Sequence, residues 1–136
     1  MIKVNDFYET ILEAFANNKM FVFPIKGSSM QPLFHTGCRV MLMKIDHIKK
    51  NDIIFYKRED GSFVLHRVVK ILNNHKLKMI GDHQLNYEII DEALAFAKVY
   101  GYYKNDKLHR LKGMGYRLYC FSLKFRILRR IYAKWM

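Results

Sequence analysis

Six short apolar runs separated by turn residues constrain the fold of this chain more than any other feature. Each run is five to ten residues long and rich in β-branched and aromatic side chains, which favour strands. Asp60-Gly61 lies between two of the runs and is a strong hairpin signal. The runs read FVFPIK, RVMLMKI, DIIFYK, FVLHRVVKIL, KLKMI and AKVYGYYK. We therefore predict a β body over residues 20–112.

Helical patterns flank this body. Asn5 or Asp6 can cap a helix over 5–18, in which apolar side chains recur at spacings of three and four. A second helix, over 116–136, has an apolar stripe and six Lys or Arg with no acid. The stripe consists of Leu118, Phe121, Phe125, Leu128, Tyr132 and Trp135. We predict one domain over 1–136: a compact, mainly β fold with an N-terminal helix and a basic amphipathic C-terminal helix.

The charge of the chain indicates an acidic partner. Its 136 residues include 24 Lys or Arg and 12 Asp or Glu, a net charge of +12. Such a surface suits nucleic acid, anionic lipid or acidic peptide. Without a secretory signal or a long apolar run, we expect a cytoplasmic protein, peripheral at the membrane. Two distant thiols, Cys38 and Cys120, suit a reducing compartment. The histidines lack metal-ligand spacing, so no metal or cofactor is expected.

The GSSMQP segment at 27–32 suggests a serine nucleophile. A serine hydroxyl attacks only when a base takes its proton and donors hold the oxyanion that forms. Gly27 permits a tight turn and Pro32 stiffens it, so that Ser29 is held rigidly while Ser28 adds an oxyanion donor. Taken alone, the segment is more typical of an ordinary loop.

Two further residues complete a candidate triad. His66 lies within a strand pattern and titrates near neutrality, as a general base does. Asp82 follows Gly81 at a strand end, where a carboxylate could orient that histidine. Each residue could instead have a structural role only: His66 as a half-buried strand histidine, and Asp82 as an ordinary turn aspartate. A histidine base predicts that activity falls below about pH 6 to 7.

In order, GSSMQP, NDIIFY, LHRVV and IGDH resemble the boxes of the signal peptidase superfamily of serine peptidases. The resemblance covers about residues 20–104 and implies a coiled β-sheet fold like that of signal peptidase and LexA. It implies that Ser29 is the nucleophile and that Met30 packs under the turn. The His66-Arg67 pair is similar to the endoplasmic-reticulum and archaeal type, in which histidine is the general base. Arg67 points away from His66 along a strand and is interpreted as structural or as a carboxylate clamp.

Departures from the family pattern qualify what the resemblance implies. Asn51 stands where the family has glycine, and a short helix stands where signal peptidases have a membrane anchor. The acidic segment that follows the Gly-Asp box in the endoplasmic-reticulum type is also not evident. Asp82 is therefore the first candidate for the third triad position, and Asp91 is the second. The expected function is a serine endopeptidase that cleaves a leader or signal-like peptide, with small residues at the first and third positions before the cut.

Two alternatives stay open at this point. The chain could instead be a non-catalytic or regulatory basic binding module of the same superfamily. Self-cleavage of the LexA type is less favoured, because about 20 residues precede the serine box, too few for a DNA-binding domain. The stripe of 116–136 either packs on the β body or lies on an anionic membrane, whereas nucleic acid is not the expected partner.

Overall fold

A computed structural model of the protein describes residues 4–125. Helix α1 is Val4–Ala16 and helix α2 is Met114–Ser122. The strands are β1 (Phe21–Pro24), β2 (Arg39–Met43), β3 (Ile53–Lys57), β4 (Phe63–Leu72), β5 (Lys76–Ile80), β6 (Glu88–Asp91), β7 (Ala95–Lys104) and β8 (Lys107–Arg110). A 3-10 turn, Glu92–Leu94, joins β6 to β7.

The strands form one antiparallel sheet in the order β1-β2-β7-β3-β4-β5-β6, and β8 pairs with β7. The predicted mainly β class with two flanking helices is confirmed. Each of the six apolar runs overlaps one strand, and the Asp60-Gly61 turn joins β3 to β4 in a hairpin. The short strands β6 and β8 were not predicted, because neither has an apolar run that stands out from its polar neighbours.

Two apolar clusters hold the sheet. The larger cluster lies under α1, which buries Ile11 and Phe15 against side chains such as Phe55 of β3. The smaller cluster uses alternate residues of the same strands, including Ile54 and Val68. Because successive residues of a strand point to opposite faces, β3 supplies side chains to both clusters and is almost wholly buried.

The β4–β5 pairing is incomplete, and this positions the candidate site. β5 pairs with β4 from Arg67 to Leu72. Strand β4 continues past this ladder, over 63–66, where it pairs with β3 on its other side. The loop after β5 and the turn after β1 approach this part of β4. Neither helix in the described part of the chain has the length and apolar character needed to cross a bilayer.

Candidate active site

The serine turn follows β1 directly. Gly27 has φ of 86°, a left-handed conformation that glycine adopts without steric cost. The turn then closes as the Gln31 N–H donates to the carbonyl of Ser28 at 3.1 Å. Met30 is buried in the larger apolar cluster, as the resemblance implied. A buried residue directly after Ser29 holds the turn against the sheet.

The serine turn, the His66 ring and the loop after β5 meet at Gly81. The carbonyl of Ser29 accepts a hydrogen bond from the His83 N–H at 2.9 Å. A Cβ atom at Gly81 would lie 2.4 Å from that carbonyl oxygen and 3.1 Å from Nε2 of His66. Glycine is therefore required at 81 for the backbone of the serine turn to approach the imidazole this closely.

Ser29 and His66 line one cavity of about 320 Å³. Consecutive residues 23–27 form one part of its wall, and residues 63–66 of β4 form another. Phenylalanines at 23, 55 and 63 make much of the lining apolar. Ser28 is exposed, and the wall passes from Gly27 to Ser29 without it. Ser28 therefore stays a predicted oxyanion donor, through its backbone or its hydroxyl, from outside the lining of the cavity.

The environment of His66 keeps its imidazole neutral. Its pKa is lowered to about 4, mainly by burial; the Glu88 and Asp82 carboxylates oppose this shift, and the Arg58 cation adds to it. Nδ1 of His66 lies 3.3 Å from the Tyr56 hydroxyl. Among residues 4–125 no hydrogen bond joins His66 to the Ser29 hydroxyl, and such contacts are often loose in a free enzyme.

Tyr56 connects His66 to a carboxylate. The Tyr56 hydroxyl donates a short hydrogen bond to Oε1 of Glu88. Arg58 binds the same carboxylate, with Nη2 2.9 Å from Oε1. Burial raises the pKa of Tyr56 above its usual value, and the Glu88 contact raises it further. Partial burial opposes ionisation of Glu88, but hydrogen bonds from Arg58 and Tyr56 outweigh it, so the Glu88 pKa is lowered.

Asp82 does not take the predicted place beside His66. Its Oδ1 and Oδ2 accept hydrogen bonds from Nε and Nη2 of Arg67 at 2.8 and 2.9 Å. The Tyr119 hydroxyl donates to Oδ2 at 2.8 Å. His66 and Arg67 are adjacent on β4, so they point to opposite faces, and the carboxylate of Asp82 lies on the Arg67 side. This geometry corrects the predicted triad and makes Arg67 the carboxylate clamp.

The second acidic candidate, Asp91, is also occupied elsewhere. It lies on β6 and pairs with Lys76 of β5, with Oδ2 2.9 Å from Nζ. Both side chains are about half exposed. Asp91 therefore has the environment of a surface ion pair rather than that of a buried orienting group.

Helix α2 covers the buried Arg67–Asp82 pair, whose side chains are 1% and 0% exposed. Arg67 Nη1 donates to the Tyr116 hydroxyl at 2.6 Å and to Cys120 Sγ at 3.3 Å. Tyr119 completes the contact through Asp82. The helix begins at Met114, before the predicted 116, and ends at Ser122, so residues 123–125 are not part of the helix that was predicted there. The predicted part from 126 to 136 lies outside the described residues.

The face of α2 that meets the β body is not the predicted stripe. Leu118, Phe121 and Phe125 are 61%, 54% and 48% exposed. Met114, one turn before Leu118, is 71% exposed. Within the described residues α2 packs through Tyr116, Tyr119 and Cys120, and Leu123 is buried directly after it, whereas the apolar stripe faces outward.

Tyr56 and Glu88 are the site residues that sequence reasoning missed. Tyr56 is part of a run read as strand core, and Glu88 belongs to a strand that was not predicted. The Asp60-Gly61 hairpin carried a usable signal. A hairpin centred there pairs Tyr56 with Val64 and Ile54 with His66, so Tyr56 and His66 are diagonal neighbours on one face.

Comparison with known proteins identifies the family of this chain. A search of curated proteins found no match. A family model described as Peptidase S24-like matches residues 3–99, about 70% of the chain. The matched segment contains the serine turn, His66, Tyr56 and the loop after β5. With its mainly β fold and with Ser29 and His66 on one cavity, the chain belongs to the Peptidase S24-like family of serine peptidases.

Proposed function

We propose that this protein is a serine endopeptidase in which Ser29 is the nucleophile and His66 is the general base. The observation that carries the proposal is the meeting at Gly81, where the backbone of Ser29 and Nε2 of His66 lie against the same small residue. A hydroxyl needs a neutral base beside it to become a nucleophile, and the lowered pKa of His66 supplies one at neutral pH.

The shape of the cavity supports an extended peptide as the substrate. Residues 63–66 line it consecutively, so both the side chains and the backbone edge of β4 face the cavity. Residues 23–27 line another part of the wall consecutively. A peptide that lies between two such edges can form main-chain hydrogen bonds while alternate side chains enter the apolar lining.

The proposed reaction proceeds through an acyl-enzyme. Ser29 Oγ attacks the scissile carbonyl carbon, and Nε2 of His66 takes the hydroxyl proton. The backbone N–H of Ser29 holds the oxyanion. His66 then returns the proton to the leaving amine as the C–N bond breaks. Water attacks the resulting ester with His66 again as base, which releases the acid product and restores Ser29.

The finer assignment is a signal-peptidase-like enzyme that processes leader or signal-like peptides. It is supported by the order of the sequence boxes and by the His66-Arg67 pair, in which histidine stands at the base position. We place this activity in the cytoplasm, at the membrane face, with a precursor protein as the substrate. The proposal includes a preference for substrates with small residues at the first and third positions before the cut.

A serine-reactive acylating probe tests the catalytic assignment. Wild-type protein should be labelled at Ser29, and Ser29→Ala should lower labelling by several orders of magnitude, because the nucleophile is lost. Ser28→Ala is the matched control, since it removes a neighbouring hydroxyl that lies outside the cavity wall. We expect its labelling rate to stay within about 10-fold of wild type.

The competing function is a non-catalytic or regulatory binding module of the same family. A wild-type chain that stays unlabelled across the pH range, while binding a peptide at the cavity, would favour that alternative. Labelling that survives Ser29→Ala but disappears in Ser28→Ala would instead reverse the assignment of the nucleophile.

We also propose that α2 binds an anionic membrane surface. The exposed stripe formed by Met114, Leu118 and Phe121 of α2, with Phe125 just after the helix, is apolar, and exposed cations flank it. Lys124 Nζ lies 5.2 Å from the centre of the Phe121 ring, so charge and apolar surface are adjacent. Aromatic side chains at the acyl boundary with cations near the headgroups are the features of an interfacial helix. The net charge of +12 favours an anionic occupant over a neutral one.

A further inference from the structure

The hydrogen bonds around Tyr56 have a direction. A tyrosine hydroxyl carries one proton, and the Tyr56 proton is donated to the Glu88 carboxylate. That carboxylate accepts hydrogen bonds and has none to give while it is ionised. The 3.3 Å contact between Tyr56 and Nδ1 of His66 must then use a hydrogen from the imidazole. Nδ1 is the donor in this contact, and the tyrosine oxygen is the acceptor.

This direction decides which ring nitrogen can act as a base. A neutral imidazole holds one hydrogen, so a hydrogen on Nδ1 leaves the lone pair on Nε2. Nε2 is the nitrogen that faces Gly81, against which the carbonyl of Ser29 also lies. The tautomer that Tyr56 selects is therefore the one that presents a lone pair toward the serine turn.

We propose that Tyr56 and Glu88 are positioning residues that hold His66 in the tautomer required of a general base. They occupy the place that a triad carboxylate would take, with a hydroxyl inserted between the carboxylate and the imidazole. This inference rests on the proposed function for its catalytic consequence. The arrangement of the three side chains stands independently of that function.

Arg58 binds Glu88, the member of this arrangement that is farthest from His66. Its Nε lies 3.2 Å from both carboxylate oxygens of Glu88, and its Nη2 lies 2.9 Å from Oε1. The ion pair keeps Glu88 ionised, and an ionised Glu88 keeps accepting the Tyr56 proton. Arg58 also lines the cavity, so a bound peptide would screen the pair from water and strengthen it.

The experiment compares full-length wild type with Tyr56→Phe and Glu88→Gln. The ring nitrogens of His66 are observed by nitrogen-15 NMR, with His66→Gln as the assignment standard. Wild type should show hydrogen on Nδ1. Tyr56→Phe removes the acceptor, so a substantial population should move to the Nε2–H form. Glu88→Gln keeps an oxygen that can accept the Tyr56 proton, so the wild-type tautomer should persist.

The second readout is the limiting rate of Ser29 acylation at saturating probe. Tyr56→Phe should lower it by about 10- to 100-fold, the range that applies when a hydrogen-bond partner that orients a metal-binding histidine is removed. The probe concentration at half saturation should change little, and Glu88→Gln should lose less than Tyr56→Phe. Tyr103→Phe is the matched control, because it removes a tyrosine hydroxyl from β7 outside the cavity.

Hydrogen on Nε2 in the wild type would overturn the proposal, as would an acylation rate in Tyr56→Phe equal to that of wild type. If wild type shows hydrogen on Nδ1 but Ser29 is never acylated, the proposed function fails while the assignment of the tautomer stands. If Tyr56→Phe and Glu88→Gln lose folding stability equally but acylate Ser29 at the wild-type rate, Tyr56 and Glu88 have a structural role alone.

Discussion

At the scale of single residues, the burial of His66 changes what a histidine base should look like in solution. An exposed imidazole has a pKa near 6.5, which is why the sequence alone predicted a loss of activity below about pH 6 to 7. In the folded chain, burial lowers the pKa of His66 to about 4. The base is therefore neutral across the whole physiological range and needs no deprotonation before it acts.

The acylation rate of Ser29 should then be independent of pH from about 8 down to about 5 and fall through about pH 4, because the imidazole becomes protonated there. Rates measured at saturating probe in a series of buffers check this. An inflection near pH 6.5 would contradict it, because that value belongs to an exposed histidine.

The same shift lowers stability in acid. An unfolded His66 binds a proton near pH 6.5, and the folded one binds it only near pH 4. Between these values the unfolded state holds more protons, so the free energy of unfolding decreases as the pH falls. The expected loss reaches about 3 kcal/mol at pH 4. Urea unfolding of wild type and His66→Gln should show this loss in the wild type and a smaller one in the variant.

At the scale of elements, α2 is tied to the sheet by charge as well as by apolar contact. Arg67 and Asp82 are buried, and the helix supplies Tyr116, Tyr119 and Cys120 to their remaining polar atoms. The two sequence interpretations of this segment, a packed helix and a membrane helix, are therefore not exclusive. One face of α2 is needed by the domain, and the other is exposed.

Asp82→Asn should cost about 3 to 5 kcal/mol of folding free energy, because it leaves the buried Arg67 cation without its counter-charge. Asp91→Asn is the control: it breaks an exposed pair with Lys76 and should cost less than about 1 kcal/mol. Chemical denaturation measures both values. Should Asp82→Asn instead keep wild-type stability and lose acylation by orders of magnitude, Asp82 would be the triad member predicted from the sequence.

The sequence predicted the secondary-structure elements better than the contacts between them. The serine turn and the strand carrying His66 were found because glycine, proline and strand alternation are local signals. The partner of Asp82 was not found, because a carboxylate after a strand can face either side, and only the β4–β5 register places it beside Arg67. Tyr56 and Glu88 are 32 residues apart and meet through two other strands. Local patterns carry no information on such a contact.

At the scale of the whole molecule, the exposed stripe of α2 should bring the basic chain to anionic lipid. Leu118→Ser with Phe121→Ser should strongly reduce binding to vesicles that contain phosphatidylserine, measured by co-sedimentation at low salt. Each cation near such a surface contributes about 1 kcal/mol. Binding should weaken at 1 M salt, where the Debye length is about 3 Å.

The control for this prediction is Ile71→Ser with Ile89→Ser, which removes two exposed apolar side chains from the sheet instead. Equal binding by both double variants, or no binding of wild type to anionic vesicles at low salt, would refute a membrane role for α2. Neutral vesicles should bind the wild type weakly, since they offer the cations no counter-charge.

The buried pair under α2 also sets the smallest unit that can work. The family match ends at residue 99, yet Arg67 and Asp82 obtain three polar contacts from residues 116–120. Arg67 is the chain neighbour of His66, and Asp82 is the chain neighbour of Gly81. A fragment that ends at the family boundary would thus expose to water a cation that is adjacent to the proposed base and a carboxylate that is adjacent to the glycine where the serine turn and His66 meet. A shortened version of this chain should therefore end after α2 rather than before it.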